Sequence, residues 1–154
     1  MSNETQMIDV GEKLPTRREA VARGTISMRR ATVEMVRDAT LPKGNALETA
    51  RVAAILAAKN TPQIIPLCHP LLISHASCEF RCDCANGAIE VTTRVRCEGK
   101  TGVEMETLCA ASAALLTIYD MTKGVDDTLE IRNLHLLEKR GGKSGDWLRD
   151  ESNE

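Results

Sequence analysis

Apolar and polar positions follow two different periods along this chain, and the two periods separate predicted helices from predicted strands. The longest apolar run, Leu108–Leu116, has almost no polar side chain, and the charges of its segment are confined to the two ends. This pattern predicts one long helix that is buried on most sides. Thr101 followed by Glu104 has the spacing of a capping box, which predicts the helix start, and Gly124 predicts its end.

A second helix is predicted over the alanine-rich segment Ala46–Lys59. Asn45 with Glu48 is typical of a helix N-terminus, and Pro62 follows the segment as a stop signal. Beyond it, Ile64–Pro70 is interrupted by prolines, which predicts an apolar loop or a short turn.

Strands are predicted where apolar and polar residues alternate. In Cys78–Cys84 the cysteines and the one phenylalanine share one face, and the charged residues share the other. Ile89–Cys97 alternates in the same way, and Asn86-Gly87 between the two segments is a strong hairpin signal. Two further segments have strand-like composition, namely Gly24–Arg30 and Leu129–Leu137, of which the latter covers one strand or two.

Strands interleaved with two well-marked helices predict an α+β fold, in which an antiparallel sheet carries its helices on one face. No linker or internal repeat divides the chain, so residues 1–154 are predicted to form a single domain. Within it, residues 1–20 show no clean period and are expected to form an N-terminal arm. Residues 140–154 include a glycine-rich stretch and are expected to form a flexible C-terminal segment.

Composition argues against several classes of function. The chain has 154 residues, of which 27% are charged, and a net charge of −2, so no overall basic field recruits nucleic acid. Its three aromatic residues are too few for a base-stacking platform. The polar N-terminus has no signal-peptide pattern, and no stretch approaches the roughly 20 apolar residues that span a membrane. A cytoplasmic protein is predicted.

The six cysteines predict neither disulfides nor a metal site. No CxxC spacing occurs, and cysteines in a row on one strand do not converge on a tetrahedral ion. Free cysteines that pack as small apolar side chains are therefore expected.

Asp120 is the least expected charge in the long helix. A carboxylate in the last turn faces the negative end of the helix dipole, and Lys123, three residues on, could offset it. Two interpretations remain open. Asp120 either forms a surface ion pair, or it is held near cations with a tuned proton affinity suited to acid–base chemistry.

Four other segments carry candidate binding groups. Gly99-Lys100-Thr101 and Gly142-Lys143-Ser144 lack the earlier glycine of a phosphate-binding loop, but their lysines still supply point charges for phosphate. His69 lies in a proline-fixed loop and is either a structural residue or a rigidly held binding group. Lys43 precedes a predicted helix start, where an anion is favoured, and is otherwise a solvated lysine.

Four motifs taken together are far more specific than any single residue. In chain order they are Ile65–Leu71, Gly99–Glu106, Leu116–Met121 and Gly141–Asp146. So arranged, they closely resemble the molybdenum cofactor biosynthesis protein C family, the cyclic pyranopterin monophosphate synthases. The resemblance covers roughly residues 7–147.

The resemblance implies an activity and an assembly. That family converts 3′,8-cyclo-7,8-dihydroguanosine 5′-triphosphate, made by a radical-SAM GTP 3′,8-cyclase, into cyclic pyranopterin monophosphate with release of pyrophosphate. Its fold is a ferredoxin-like α+β arrangement, assembled as a homohexamer (a trimer of dimers) with active sites between subunits. No cofactor is implied, and although a divalent metal such as Mg²⁺ could assist, the sequence does not require one.

The resemblance also implies roles for particular residues. Asp120, Lys123 and Lys43 match catalytic positions. Asn45 and Thr122 depart from many relatives, which have Asp and Cys there, but neither is a reactive side chain. The implied substrate-binding residues are Leu67, Cys68, His69, Met105, Glu106, Glu104, Arg18, Lys139 and Lys143.

Two rival readings come from other classes. A non-catalytic, oligomeric nucleotide-binding module would explain the basic residues and glycine segments but leaves Asp120 without a role. A purely structural subunit would explain only the alanine-rich helices. Release of pyrophosphate from the cyclised GTP substrate distinguishes the enzyme from both.

Overall fold

The computed structural model describes residues 3–152, which form an antiparallel sheet and a layer of helices. The predicted α+β fold is confirmed. The strands are β1 (Thr16–Ser27), β2 (Ile73–Asp83), β3 (Ala88–Gly99), β4 (Glu130–Arg140) and β5 (Trp147–Leu148). The helices are α1 (Arg30–Arg37), α2 (Ala46–Lys59), α3 (Thr61–Ile64) and α4 (Glu104–Thr122). Residues 1, 2, 153 and 154, the outer ends of the predicted arm and C-terminal segment, lie outside the described residues.

The sheet has the strand order β2-β3-β1-β4-β5, and each neighbouring pair is antiparallel. Strand β1 is therefore flanked by β3 and β4, which follow it far along the chain. This order, with helices between β1 and β2 and between β3 and β4, is compatible with the predicted ferredoxin-like arrangement.

Helices α2 and α4 pack against each other and against one face of the sheet. Their facing residues are small: Ala50 and Ala54 of α2 and Ala110 and Ala114 of α4 are almost completely buried, which lets the two helices approach closely. The sheet contributes alternate residues of β3, such as Val91, to the same core. Within residues 3–152, no helix combines the length and the apolarity needed to cross a membrane.

The predicted hairpin is confirmed. Strands β2 and β3 pair across a turn in which Gly87 has a φ of +63° and Asn86 donates its backbone N–H to Asp83. On β2, Cys78 is buried and Glu79 is exposed, as the alternation predicts. All six cysteines are free.

The N-terminal part of the fold differs from the prediction. Strand β1 begins at Thr16, so the last five residues of the predicted arm belong to the sheet. The side chains of this segment alternate between the two sheet faces: Ala20 is buried in the core, whereas Glu19 lies on the outer face and pairs with Arg96 of β3 at 3.1 Å. The strand predicted over Gly24–Arg30 ends at Ser27, and Arg30 instead opens the unpredicted helix α1.

The structure adds detail at two further places. No capping box forms at the start of α4, because Val103 is the N-cap residue and has no side-chain cap. Glu104 instead faces Lys139 of β4. The C-terminal segment is not uniformly irregular, since Trp147 and Leu148 pair with β4 as strand β5.

One buried carboxylate joins the start of α1 to the loop after α4. The side chain of Asp126 is inaccessible to solvent and accepts hydrogen bonds from the backbone N–H of Arg29 at 2.9 Å and the hydroxyl of Thr32 at 2.6 Å. Its other oxygen accepts from the N–H and the hydroxyl of Thr128. Burial raises the pKa of Asp126, but these hydrogen bonds outweigh burial and hold that pKa well below its usual range.

Candidate active site

Asp120 lies between two lysines at the C-terminal end of α4. One carboxylate oxygen is 3.0 Å from Nζ of Lys123, one turn along the helix, and the other is 3.0 Å from Nζ of Lys43, which precedes α2. Lys43 also donates to the backbone carbonyl of Asp120 at 3.0 Å. The structure thus brings together all three residues for which the resemblance implies a catalytic role.

The two lysines determine the charge state of this cluster. Hydrogen bonds from Lys123 and then from Lys43, together with their positive charges, lower the pKa of Asp120. The carboxylate is therefore ionised at neutral pH and balances the unfavourable helix dipole through its partners. The three side chains are about half exposed, so a bound molecule can reach the cluster.

A second group of residues lies at the other end of α4. Cys68 donates its thiol hydrogen to Oε1 of Glu106, with a sulfur–oxygen distance of 3.5 Å. Glu106 is only 1% exposed, and among the described residues its Oε2 atom has no hydrogen-bond partner. Burial raises the pKa of Glu106, and burial together with the nearby Glu106 raises the pKa of Cys68 to about 11. The site therefore holds a thiol, not a thiolate, beside a buried carboxyl group whose second oxygen has no hydrogen-bond partner among the described residues.

Basic residues surround the same end of α4. Nζ of Lys139 is 3.5 Å from Glu104, and Arg18 donates to the backbone carbonyl of Lys100 at 3.4 Å. Gly142 has a φ of +81° and lies so close to Arg18 that a Cβ atom there would overlap the guanidinium group. The glycine-rich segment therefore packs its backbone over Arg18. A small depression is lined by residues of β1, α4, β4 and the glycine-rich segment, among them Arg18, Glu104, Lys139 and Gly141.

His69 lines a neighbouring depression of about 380 Å³. Its walls include Leu71, Lys100 and Thr101, and also Val10 from the N-terminal arm. Lys100 is not among the residues for which the resemblance implies a role, although the sequence leaves its side chain as a point charge for phosphate. The only signal of its role in the sequence is that glycine-flanked lysine.

The two groups are far apart in one chain. Glu106 and Asp120 are fourteen residues apart on α4, which corresponds to about 21 Å along the helix axis. Arg18, Cys68, His69, Glu104 and Lys139 lie near the first end, whereas Lys43, Asp120 and Lys123 lie at the second. The three remaining candidates, Leu67, Met105 and Lys143, have exposed side chains.

Across residues 3–152, no group of three or more His, Cys, Asp or Glu side chains has an arrangement that could hold a metal ion. The two groups instead provide acidic and basic side chains at the two ends of α4. One end presents a carboxylate between two ammonium groups, and the other presents a buried carboxyl, a thiol and basic side chains. Such sets suit proton transfer and the binding of a phosphorylated heterocycle respectively.

Comparison with known proteins identifies the family. Residues 7–142 match the model of the MoaC family. The chain is 54% identical to the cyclic pyranopterin monophosphate synthase of Chloroflexus aurantiacus (strain ATCC 29366 / DSM 635 / J-10-fl) over 148 residues, 96% of this chain and 91% of that protein. It is 49% identical to the protein of the same name from Heliobacterium modesticaldum over 146 residues, 95% of this chain and 92% of the relative. The match is thus close and extends over almost all of both chains, and the chain belongs to the MoaC family.

Proposed function

We propose that the protein is a cyclic pyranopterin monophosphate synthase, a lyase that acts early in molybdenum cofactor biosynthesis. It converts 3′,8-cyclo-7,8-dihydroguanosine 5′-triphosphate to cyclic pyranopterin monophosphate and releases pyrophosphate. The names of the similar proteins support this activity. The single observation that carries it is the Lys43–Asp120–Lys123 cluster, which gives Asp120 a role that a binding module would not need.

In this proposal the cluster transfers protons. The rearrangement of a base and a ribose into a pyranopterin requires protons to leave and to arrive at several atoms. Asp120 accepts or returns a proton, while Lys43 and Lys123 stabilise its charge and that of nearby oxygens. Because both lysines contact Asp120 directly, a change in one partner alters the proton affinity of the whole cluster.

The basic residues at the other end of α4 bind the triphosphate. Arg18 and Lys139 lie around one depression, and Lys143 lies in the adjoining glycine-rich segment. Their positive charges complement the phosphate oxygens and stabilise the leaving pyrophosphate. Glu104, which pairs with Lys139, holds that lysine in place until the phosphates arrive.

The heterocycle is bound by the residues around His69 and Glu106. The free Oε2 of Glu106 can accept a hydrogen bond from an N–H group of the base, which would satisfy an otherwise costly buried oxygen. Cys68 lies beside Glu106, and its chain neighbour His69 lines the depression together with apolar residues such as Leu71. Leu67 and Met105 contribute exposed apolar surface on which a flat ring can pack.

Each active site is completed by two subunits. Two groups about 21 Å apart cannot both contact the same atoms of one substrate. Exposed apolar side chains on α2 and α4, such as Leu56 (51% exposed) and Leu116 (61% exposed), suit contacts between subunits. We propose a homohexamer, arranged as a trimer of dimers, in which the Asp120 end of one chain meets the Glu106 end of another.

The same proposal places the protein in the cytoplasm, downstream of a radical-SAM GTP 3′,8-cyclase that supplies the cyclised substrate. The protein needs no organic cofactor of its own. A divalent metal such as Mg²⁺ could assist by binding the triphosphate of the substrate.

The test is release of pyrophosphate from the purified cyclised substrate. Asp120→Asn keeps the shape of the side chain but removes its proton-accepting charge, so kcat should fall by at least about a hundredfold with little change in KM. The matched control is Asp127→Asn, which changes an aspartate whose side chain is 90% exposed. Substrate binding without pyrophosphate release by the unaltered protein would favour the binding module, and full turnover by Asp120→Asn would remove Asp120 from the mechanism.

A further inference from the structure

One wall of the depression that contains His69 is formed by the N-terminal arm. Most of its lining comes from the loop before β2 and from the end of β3, but Val10 of the N-terminal arm closes one side. Its volume of about 380 Å³ lies within the usual range for small-molecule sites. The shape of the depression therefore depends on where the arm lies.

The arm is folded at this point. Gly11 donates its backbone N–H to the carboxylate of Asp9 at 2.8 Å, and Lys13 donates to the carbonyl of Val10 at 3.1 Å. We call residues Asp9–Lys13 the arm turn. Val10 is partly buried in it, while Ile8 and Leu14 on either side are 69% and 81% exposed. The arm thus contacts the depression through the turn and not through its neighbouring apolar residues.

Lys100, which directly follows β3, links the arm turn to the sheet by a hydrogen bond. Its Nζ atom donates to the backbone carbonyl of Gly11 at 2.8 Å. Its own backbone carbonyl accepts a hydrogen bond from Arg18 at 3.4 Å. Gly99 precedes it at a point where a Cβ atom would come within 3.0 Å of Leu71, another residue of the depression. One residue therefore connects the arm, the wall of the depression and a phosphate-binding candidate.

We propose that Lys100 is a positioning residue that acts through Val10: it holds the arm turn as one wall of the pocket for the fused-ring heterocycle of the substrate. This inference rests on the proposed function and deepens it. The pocket has apolar walls for the faces of a flat ring, and the imidazole of His69 and the backbone around Gly99 for its polar edge. Without the ammonium of Lys100 the arm turn loses this hydrogen bond, and the position of Val10 at the depression is no longer fixed by it.

The test separates binding from chemistry. In Lys100→Met the side chain keeps a similar length and loses the donor, so KM should rise about tenfold, as expected for loss of one hydrogen bond from a charged group, with kcat changed less than about twofold. Lys100→Arg keeps a donor and should restore most of the affinity. Lys59→Met is the control for loss of charge, because Lys59 is exposed at the end of α2 and does not line the depression that contains Val10.

Two readouts do not need turnover. Cleavage by trypsin after Lys13, followed by mass spectrometry, should be faster in Lys100→Met than in the unaltered protein and unchanged in Lys59→Met. Calorimetric binding of the cyclised substrate, measured in an Asp120→Asn background, should weaken by the same factor as KM. These readouts keep the inference testable even if the proposed turnover is not found.

Each outcome either supports or contradicts the role proposed for Lys100. Faster cleavage together with weaker binding supports the inference. Unchanged cleavage means that Lys100 does not hold the arm, and faster cleavage with unchanged binding means that the arm is not a wall of the pocket. A loss of kcat at constant KM would assign Lys100 to the chemistry instead. An unaltered protein that binds the substrate but releases no pyrophosphate counts against the proposed function alone.

Discussion

At the level of single residues, Asp126 and Asp120 are two aspartates whose pKa values are lowered for different reasons. Asp120 is half exposed, and hydrogen bonds from Lys123 and Lys43 stabilise its charge. Asp126 is buried, and hydroxyl and backbone N–H groups stabilise its charge in spite of that burial. The first arrangement can be reached by a substrate, whereas the second holds the start of α1 against the loop after α4. A lowered pKa therefore marks a reactive position only where a ligand can reach it.

Asp126→Asn should reduce the free energy of unfolding by about 2–4 kcal/mol at neutral pH, because an amide replaces a buried acceptor of four hydrogen bonds. The pKa of Asp126 is lower in the folded than in the unfolded chain. Its contribution is therefore complete above about pH 4 and is lost as the pH falls through the folded-state value. The gap between the two proteins should narrow on going from about pH 7 to about pH 3 in denaturant titrations.

Asp127→Asn is the control for this experiment, since Asp127 is the next residue, 90% exposed, and its pairing with Arg29 is worth little. An equal loss of stability in both variants, or a gap that does not change with pH, would contradict the role given to the Asp126 carboxylate.

At the level of elements, the sequence predicts those parts whose signals are local. Helix α2 begins and ends where predicted, because Asn45 caps it through the N–H of Glu48 and four of its alanines, Ala46, Ala50, Ala54 and Ala58, form one buried stripe. The hairpin of β2 and β3 follows from alternation and from Gly87. Helix α1 escaped prediction because its start is held by Asp126, nearly a hundred residues later. The capping box failed for the same reason, since Glu104 finds its partner on β4.

The contacts of the candidate site also divide into those that local sequence predicts and those that depend on tertiary packing. The pairing of Asp120 with Lys123 follows from helical spacing, but its pairing with Lys43 requires α2 and α4 to be packed side by side. The link from Lys100 to Gly11 joins residues 89 positions apart, and no local pattern marks it.

The glycine-rich segment after β4 yields an element-level prediction. Gly142→Ala should displace the guanidinium group of Arg18 and raise KM severalfold, because the new Cβ atom overlaps that group. Gly145→Ala is a close control, since Gly145 has a similar φ of +74° but no atom within 4 Å of a new Cβ. Both variants carry a backbone strain of roughly 1 kcal/mol, so their unfolding should be similar. Equal KM values for the two would show that Arg18 does not depend on Gly142.

At the level of the whole molecule, the described chain separates its reactive groups to the two ends of one helix. Helix α4 is buried along its middle by α2 and the sheet, and this packing keeps the ends at a fixed distance. Association of chains is then a requirement of the proposed chemistry and not only a source of stability.

Mixing of inactive variants tests this requirement. Asp120→Asn and Glu106→Gln should each be inactive alone, whereas co-expressed chains should regain activity, because about one site in four would combine two unaltered ends. Light scattering of the unaltered protein should give a hexamer. A fully active monomer at micromolar concentration, or no recovery in verified mixed hexamers, would contradict a site shared between chains.

The length of α4 has a further consequence under this arrangement. Every chain lends its first end to one site and its second end to a different site, so each polypeptide serves two substrate molecules at a time. A chain that is inactive at both ends inactivates two sites. A small fraction of such chains in the mixture therefore lowers turnover by more than that fraction. Two active sites of the proposed hexamer thus depend on the same nineteen-residue helix α4.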